Sequence, residues 1–258
     1  MTPYIFKNPV LFLMLLLALP AAAIEPEVDT EGATPRPTAT FAIPDVPPWG
    51  FESSEGKPAG VLVTLTERLS RITRIPVDFQ LRPYRRAIAE LRAGDADFLM
   101  LFDTPGLEAP GIRVGTVLES QILLITQAGK DTPADLEALA GQSVGYIAGT
   151  HYGEAFEQAD HFEKVSVNNP RHGLDMLRRG RISALISFDE VVTNIMDSPE
   201  FTEYDFNIRT ISSNVKGQLY MSREFPHTEY LPIFSKALEH MRRNGEIRDI
   251  IEEAKRSM

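Results

Sequence analysis

The chain has 258 residues, with 36 acidic against 26 basic side chains, a formal charge of −10 and no cysteine. Without cysteine there are no disulfides, thiol nucleophiles or thiolate metal sites, so stability must come from the core. About 220 residues beyond the N-terminal region suffice for one large or two small domains. The acidic balance argues against nucleic acid and against an anionic membrane surface, both of which need basic patches.

Residues 1–23 read as a secretory signal peptide. Lys7 supplies a positive charge, an apolar run covers 10–19, and Pro20 precedes the small residues Ala21, Ala22 and Ala23. The run is too short for a membrane span, which takes about 20 residues, and no other run suits one. Cleavage after Ala23 is expected, delivering the chain to the periplasm. It would take Lys7 with it and move the charge from −10 to −11. With no cysteine behind the cleavage site, lipid attachment there is not expected. Residues 24–39, rich in Pro, Thr and acidic side chains, predict a flexible leader.

A short β-like run at 40–43 is followed by the proline-stiffened loop "PDVPPWGF". Val63, Leu65, Leu69 and Ile72 predict a helix over 61–72. "IPVDFQL" reads as a strand, "YRRAIAELRAG" as a helix closing at Gly94, and 97–102 as a strand. This β-α-β-α-β order predicts a parallel sheet with covering helices. A longer β-like run spans 117–129. A second unit of the same style then begins with "DTPADLEALAG", a short helix with Thr132 as N-cap and Pro133 in its first turn. The strand "QSVGYIAG", a helix from about His151, the strand "KVSVN", the helix "PRHGLDMLRRGR", the strand "ISALISF" and the helix "DEVVTNIM" follow. "GQLYMSREF" reads as a strand, and 229–258 as one or two amphipathic helices with Leu231, Phe234, Leu238, Met241, Ile247, Ile250 and Ile251 on the apolar stripe. "LRAGDADFLM" and "LRRGRISALI" echo each other across the two units. Gly ends helices well, so the same echo also fits two unrelated α/β turns.

Five marks in order carry a resemblance. They are "PPWGF", "AIAELRAGDADFLML", "ADLEALAGQSVGYIAGTHYGEAF", "MLRRGRISALISFDE" and "ALEHMRRNGEIRDIIEEA". Over residues 40–255 the chain resembles the periplasmic solute-binding proteins of the polar amino-acid type (family three), which serve ABC importers. The resemblance implies an α/β, two-lobed periplasmic-binding-protein fold of type II, with two parallel-rich sheets joined by two hinge strands near "ESQILLI" and "GQLYM". Lobe I would comprise 40–121 and 218–258, and lobe II 122–217.

The ligand is then expected in the cleft beyond the carboxyl ends of the strands. Gly149 and Thr150 stand at such an end. They fit a glycine turn with a helix-capping threonine, and equally a carboxylate-binding seam of backbone N–H groups and a hydroxyl, as the resemblance implies. Asp189 fits a helix N-cap and also the acidic residue that the family sets against the ligand's ammonium. Trp49, the single tryptophan, and Phe51 would form an aromatic cleft wall. Arg86, in "RPYRRA" beside Tyr84, would lie near the cleft or at a solvated helix start.

The family's Thr-Pro-Glu-Arg phrase is only half kept. Thr104 and Pro105 match, but Gly106 and Leu107 stand where Glu and the carboxylate-binding Arg belong. Arg113 or Arg86 would have to replace that guanidinium fork. Asp103 and Asp189 hint at a cationic ligand instead. No metal, cofactor or catalytic residue is expected. The partners implied are a small polar ligand, an amino acid or related amine, and a membrane importer permease. The protein itself is expected to be a monomer without stable membrane insertion. A ligand sensor docking to a membrane receptor is the alternative. A dehydratase on the same fold, acting on prephenate-like substrates through Glu119, Glu154 or Asp189, is the enzyme alternative.

Overall fold

The computed structural model describes residues 36–103, 109–129, 133–196 and 198–256. The expected signal peptide and most of the leader fall outside them. β1 (Ala39–Pro44) opens inside the expected leader, and the residues before it are tied down: Tyr230 Oη donates to Pro37 O at 2.8 Å and Arg36 Nη1 to Thr73 O at 2.9 Å. A small ribbon, β2 (Phe51–Glu52) with β3 (Pro58–Ala59), leads into α1 (Val61–Thr73). That helix buries Val61, Leu62, Leu65 and Leu69 and stops at Arg74, whose backbone is left-handed (φ 55°).

β4 (Val77–Arg82), α2 (Tyr84–Ala93), β5 (Phe98–Asp103) and the long β6 (Ile112–Gln127) complete the first stretch. After a 3₁₀ turn at Glu137–Leu139 come β7 (Ser143–Ile147), α3 (Glu154–Gln158), β8 (Glu163–Val167), α4 (Pro170–Arg178), β9 (Ala184–Phe188) and α5 (Asp189–Met196). A second long strand, β10 (Phe206–Met221), then leads to α6 (Tyr230–Arg243) and α7 (Glu246–Arg256). The two-part echo of the sequence has a local cause. Gly94 (φ 82°) and Gly180 (φ 67°) both take the left-handed backbone that ends a helix. α4 starts as its sequence dictates, with Asn169 accepting from the His172 N–H at 2.8 Å and Pro170 in the first turn.

The strands run in the order β4-β1-β5-β10-β6-β9-β7-β8. β1 is parallel to β4 and β5, and β7 is parallel to β8 and β9. The two parallel triplets are thus present. They share the antiparallel pair β6–β10, so they form one continuous, curled eight-stranded ladder rather than two separate sheets. Each 16-residue strand of this pair, about 50 Å long, serves both halves. β10 pairs with β5 over Lys216–Met221, and β6 pairs with β9 over Ile122–Ile125. Where the partners change, the ladder is irregular. The register shifts between Thr210 and Ser212 and between Ser212 and Val215, and Asn214 sits at φ 61°. α6 and α7 pack on α1 and on each other, and α6 also covers β6.

Three elements differ from expectation. β10 begins at Phe206, well before 217, because its N-terminal part is polar and largely exposed and is held in the sheet by β6 rather than by burial. The helix expected from His151 starts only at Glu154, behind Gly153 (φ 98°), and has five residues. The helix expected around 133–140 is a three-residue 3₁₀ turn, with Thr132 outside the described residues.

Candidate functional site

The carboxyl ends of β1, β5, β7 and β9 converge on the crossing of β6 and β10. Between them lies a cavity of about 50 Å³. The first half contributes Pro44, Val46, Trp49 and Phe102. The second contributes Gly149, Thr150, His151 and Phe188. The crossing strands contribute Val117, Leu118 and Gln218. Pockets for drug-sized ligands run to about 300–1,000 Å³, so a ligand enters only if the halves part.

Rings bridge the two halves. Phe102, at the end of β5, stacks on Phe188, at the end of β9, with centroids 4.1 Å apart and planes 19° from parallel. Trp49 meets Phe102 edge-on at 5.2 Å, and Tyr152 stacks on Phe188 at 5.5 Å. Phe156 continues the series behind Tyr152, again at 5.5 Å. Such pairs add about 0.5–1.5 kcal/mol each beyond area burial.

Of the residues predicted from sequence, Trp49, Gly149 and Thr150 line the cavity. Trp49 is 7% exposed, a wall residue packed from behind. Gly149 has φ 75°, so the sharp turn after β7 needs its freedom. Thr150 does not cap α3, which starts four residues later without a side-chain cap. The amides along this loop are engaged locally. Thr150 N–H donates to Ile147 O at 3.3 Å, Tyr152 N–H to Glu157 Oε1 at 3.2 Å and Gly153 N–H to His151 Nδ1 at 3.2 Å.

Phe51, Arg86 and Asp189 stand outside this lining. Arg86 is exposed on α2 and donates to Glu90 at 2.7 Å, an acceptor it shares with Arg82. Burial is the largest single influence on the Glu90 carboxyl and would raise it, but the hydrogen bonds and charges of the two guanidinium groups together hold it below its usual range. Phe51 lies in the β2–β3 ribbon. Asp189 accepts from Ser120 Oγ at 2.5 Å, Gln121 N–H at 3.0 Å and its own helix's Glu190 N–H at 2.8 Å, so its carboxylate ties α5 to β6 at the crossing. Arg113 pairs with Asp103 at 2.5 Å and lies over the Tyr220 ring at 5.9 Å. Thr104 and Leu107 lie outside the described residues. Of the acids weighed for catalysis, Glu119 and Glu154 also stand off the lining, and Glu154 accepts from Gln158 at 2.6 Å.

Among the lining residues missed from sequence are Phe102, Phe188 and Gln218. Each stood in a strand-like run, and the first two were the last apolar residues of theirs, which is the signal that strand carboxyl ends offer. Burial sets the local electrostatics. It raises the Tyr84 and Tyr152 phenols well above their ordinary range, so both remain protonated hydrogen-bond donors. It lowers His151 below its usual value, with Arg85 reinforcing and Glu157 opposing, so the imidazole is neutral at pH 7. Among the described residues no group of three or more His, Asp and Glu could hold a metal ion, and no helix is long and apolar enough to cross a membrane.

No protein-family model and no curated protein matches the chain. Solved structures do. An ancestral arginine-binding protein bound to arginine superposes with a TM-score of 0.59 at 20% identity, covering 85% of this chain and 99% of that one. A histidine kinase sensor domain with similarity to periplasmic binding proteins gives 0.61 at 19%, covering 85% and 96%. An amino acid ABC transporter substrate-binding protein from Streptococcus pneumoniae, bound to L-arginine, gives 0.60 at 16%, covering 85% and 94%. The chain has the two-lobed, type II periplasmic-binding-protein fold.

Proposed function

We propose that this chain is an extracytoplasmic solute-binding protein that closes its two lobes on a small molecule and delivers it to a membrane importer of the ABC type. The observation that carries this reading is the cavity itself. It lies beyond the strand carboxyl ends, draws its wall from both halves, and is backed by two crossing strands whose ladder is irregular where they change partners. Opening and closing about such a pair is a hinge motion. Trp49, Gly149 and Thr150 are the predicted residues that this reading keeps as ligand contacts. The protein works as a monomer in the periplasm after removal of residues 1–23. Its role is binding rather than catalysis, since Glu119, Glu154 and Asp189 all stand off the cavity wall.

A second reading has one observation in its favour: the histidine kinase sensor domain superposes as well as the transport proteins do. The same lobe closure would then be read by a receptor rather than a permease.

A thermal-shift screen of the chain from Ile24 onwards, over amino acids, amines, sugars, short peptides and neutral aromatics, tests binding. A ligand at about a hundred times its dissociation constant adds about 2.7 kcal/mol. Small-angle scattering on each hit tests closure, which should reduce the radius of gyration. If no compound stabilises the protein and none compacts it, the solute-binding reading is wrong.

A further inference from the structure

We propose that the ligand is an uncharged, flat molecule, an aromatic ring carrying one or two hydrogen-bonding groups, rather than a zwitterionic amino acid. This rests on the solute-binding reading and narrows the chemistry of its site.

The first support is the absence of counter-charge. A buried carboxylate or ammonium needs an opposite charge or a full set of hydrogen bonds, and its burial is otherwise strongly unfavourable. The described lining offers neither. It has no Asp, Glu, Lys or Arg, and burial keeps the His151 imidazole neutral. Of the charged residues weighed from the sequence, Arg113 pairs with Asp103, Arg86 with Glu90, and Asp189 with Ser120 and Gln121. Three amides of the neighbouring loop, those of Thr150, Tyr152 and Gly153, are taken by Ile147, Glu157 and His151.

The second support is the shape of what remains. Phe102 and Phe188 come from opposite lobes and meet face to face at 4.1 Å. When the lobes part, they present two nearly parallel ring faces, with the Trp49 ring at the side. A planar ring between them needs the faces about 7–8 Å apart, twice the contact distance of carbon atoms, and it restores a stack on both sides. The polar residues of this lining besides His151 are neutral: Tyr84, Thr150 and Gln218, whose Oε1 accepts from Thr116 Oγ1 at 3.3 Å. They suit an amide, a phenol or a ring N–H, and not a carboxylate.

The test uses one ring with four charge states. Phenylacetamide, phenylacetate, phenethylamine and phenylalanine are titrated into the chain from Ile24 onwards, followed by calorimetry and by the fluorescence of its single tryptophan, Trp49. L-Arginine and L-glutamate are titrated alongside. The expected result is saturable binding of phenylacetamide, at least about tenfold tighter than any charged member of the series, since each tenfold step is a modest difference in interaction. Cyclohexaneacetamide, equally neutral but not flat, should bind several-fold more weakly. Phe188→Leu, which keeps an apolar side chain but loses the ring face, should weaken phenylacetamide about three- to tenfold while still melting cooperatively.

Binding of arginine, glutamate or phenylalanine as tight as that of the amide overturns the ligand class. If those compounds also compact the protein, the solute-binding reading survives. If nothing in this series and nothing in the broader screen binds, both fall.

Discussion

Replacing Asp189 by Ala separates a ligand contact from a structural tie. The side chain accepts from Ser120 Oγ, Gln121 N–H and Glu190 N–H. Ser120 is only 3% exposed, so its hydroxyl would lose a charged partner with little access to water. Gln121 is exposed, and its amide can turn to solvent. Losing the bond from the adjacent Glu190 N–H costs about 0.5–1 kcal/mol. Losing a charge-assisted bond to a buried hydroxyl costs about 1.5–3 kcal/mol. The total is about 2–4 kcal/mol. For a domain of this size 1 kcal/mol moves the melting temperature by about 2–4 °C, so the melt should fall by about 8 °C, within about 4–16 °C. Asp189→Asn keeps one acceptor oxygen and should lose about half as much. Thermal melts and urea titrations at unchanged m-value read the stability, and calorimetry reads the affinity. Since the carboxylate stands off the cavity wall, affinity at a temperature where the variant is folded should change far less than stability. The reasoning fails if Asp189→Ala abolishes binding at an unchanged melting temperature, because Asp189 would then be the ligand contact that the sequence resemblance implies.

Phe188→Ala alone should destabilise by about 3–5 kcal/mol. In a double-mutant cycle with Phe102→Ala the coupling should be about 0.5–1.5 kcal/mol, measured by urea unfolding; zero coupling would mean that the two lobes do not meet through these rings. His151 gives a pH dependence. Its folded-state value lies below the ordinary 6.5 because of burial, so the unfolded chain takes up a proton first. Stability is then lost as the pH falls from about 6.5 to the lower folded value and is level beneath it. Melts between pH 5 and 8 should show this slope in the wild type and a flatter one in His151→Gln. Gly149→Ala puts a side chain on a left-handed backbone (φ 75°), though its Cβ would meet Val46 Cγ2 at 3.4 Å and Tyr84 Cβ at 3.8 Å, both ordinary contacts. The cost should be about 1–2 kcal/mol of backbone strain, and a melt unchanged to within 1 °C would contradict the turn geometry. Exported with its native N-terminus, the protein should be recovered starting at Ile24, which intact-mass spectrometry reads directly.

Much of the architecture was legible because each element writes a local period into the chain. The apolar spacing of α1, the glycines closing α2 and α4, and the capping Asn169 of α4 are one-dimensional signals with local physical causes. The same holds for the site's location, since Gly149-Thr150 and Trp49 could be placed at strand ends and loops from the order of elements alone. What the side chains do there was decided elsewhere. Asp189 reads equally as a cap or a ligand contact until its partners are known, and those partners, Ser120 and Gln121, lie 69 and 68 residues away. The N-terminal half of β10 is largely exposed and is held in the sheet by pairing with β6. The stack of Phe102 on Phe188 joins two runs that each look like ordinary core. Periodicity tells which way a residue faces within its own element. Which residue it then meets across a cleft depends on how distant segments pack, and that is set by the summed contacts of the whole chain.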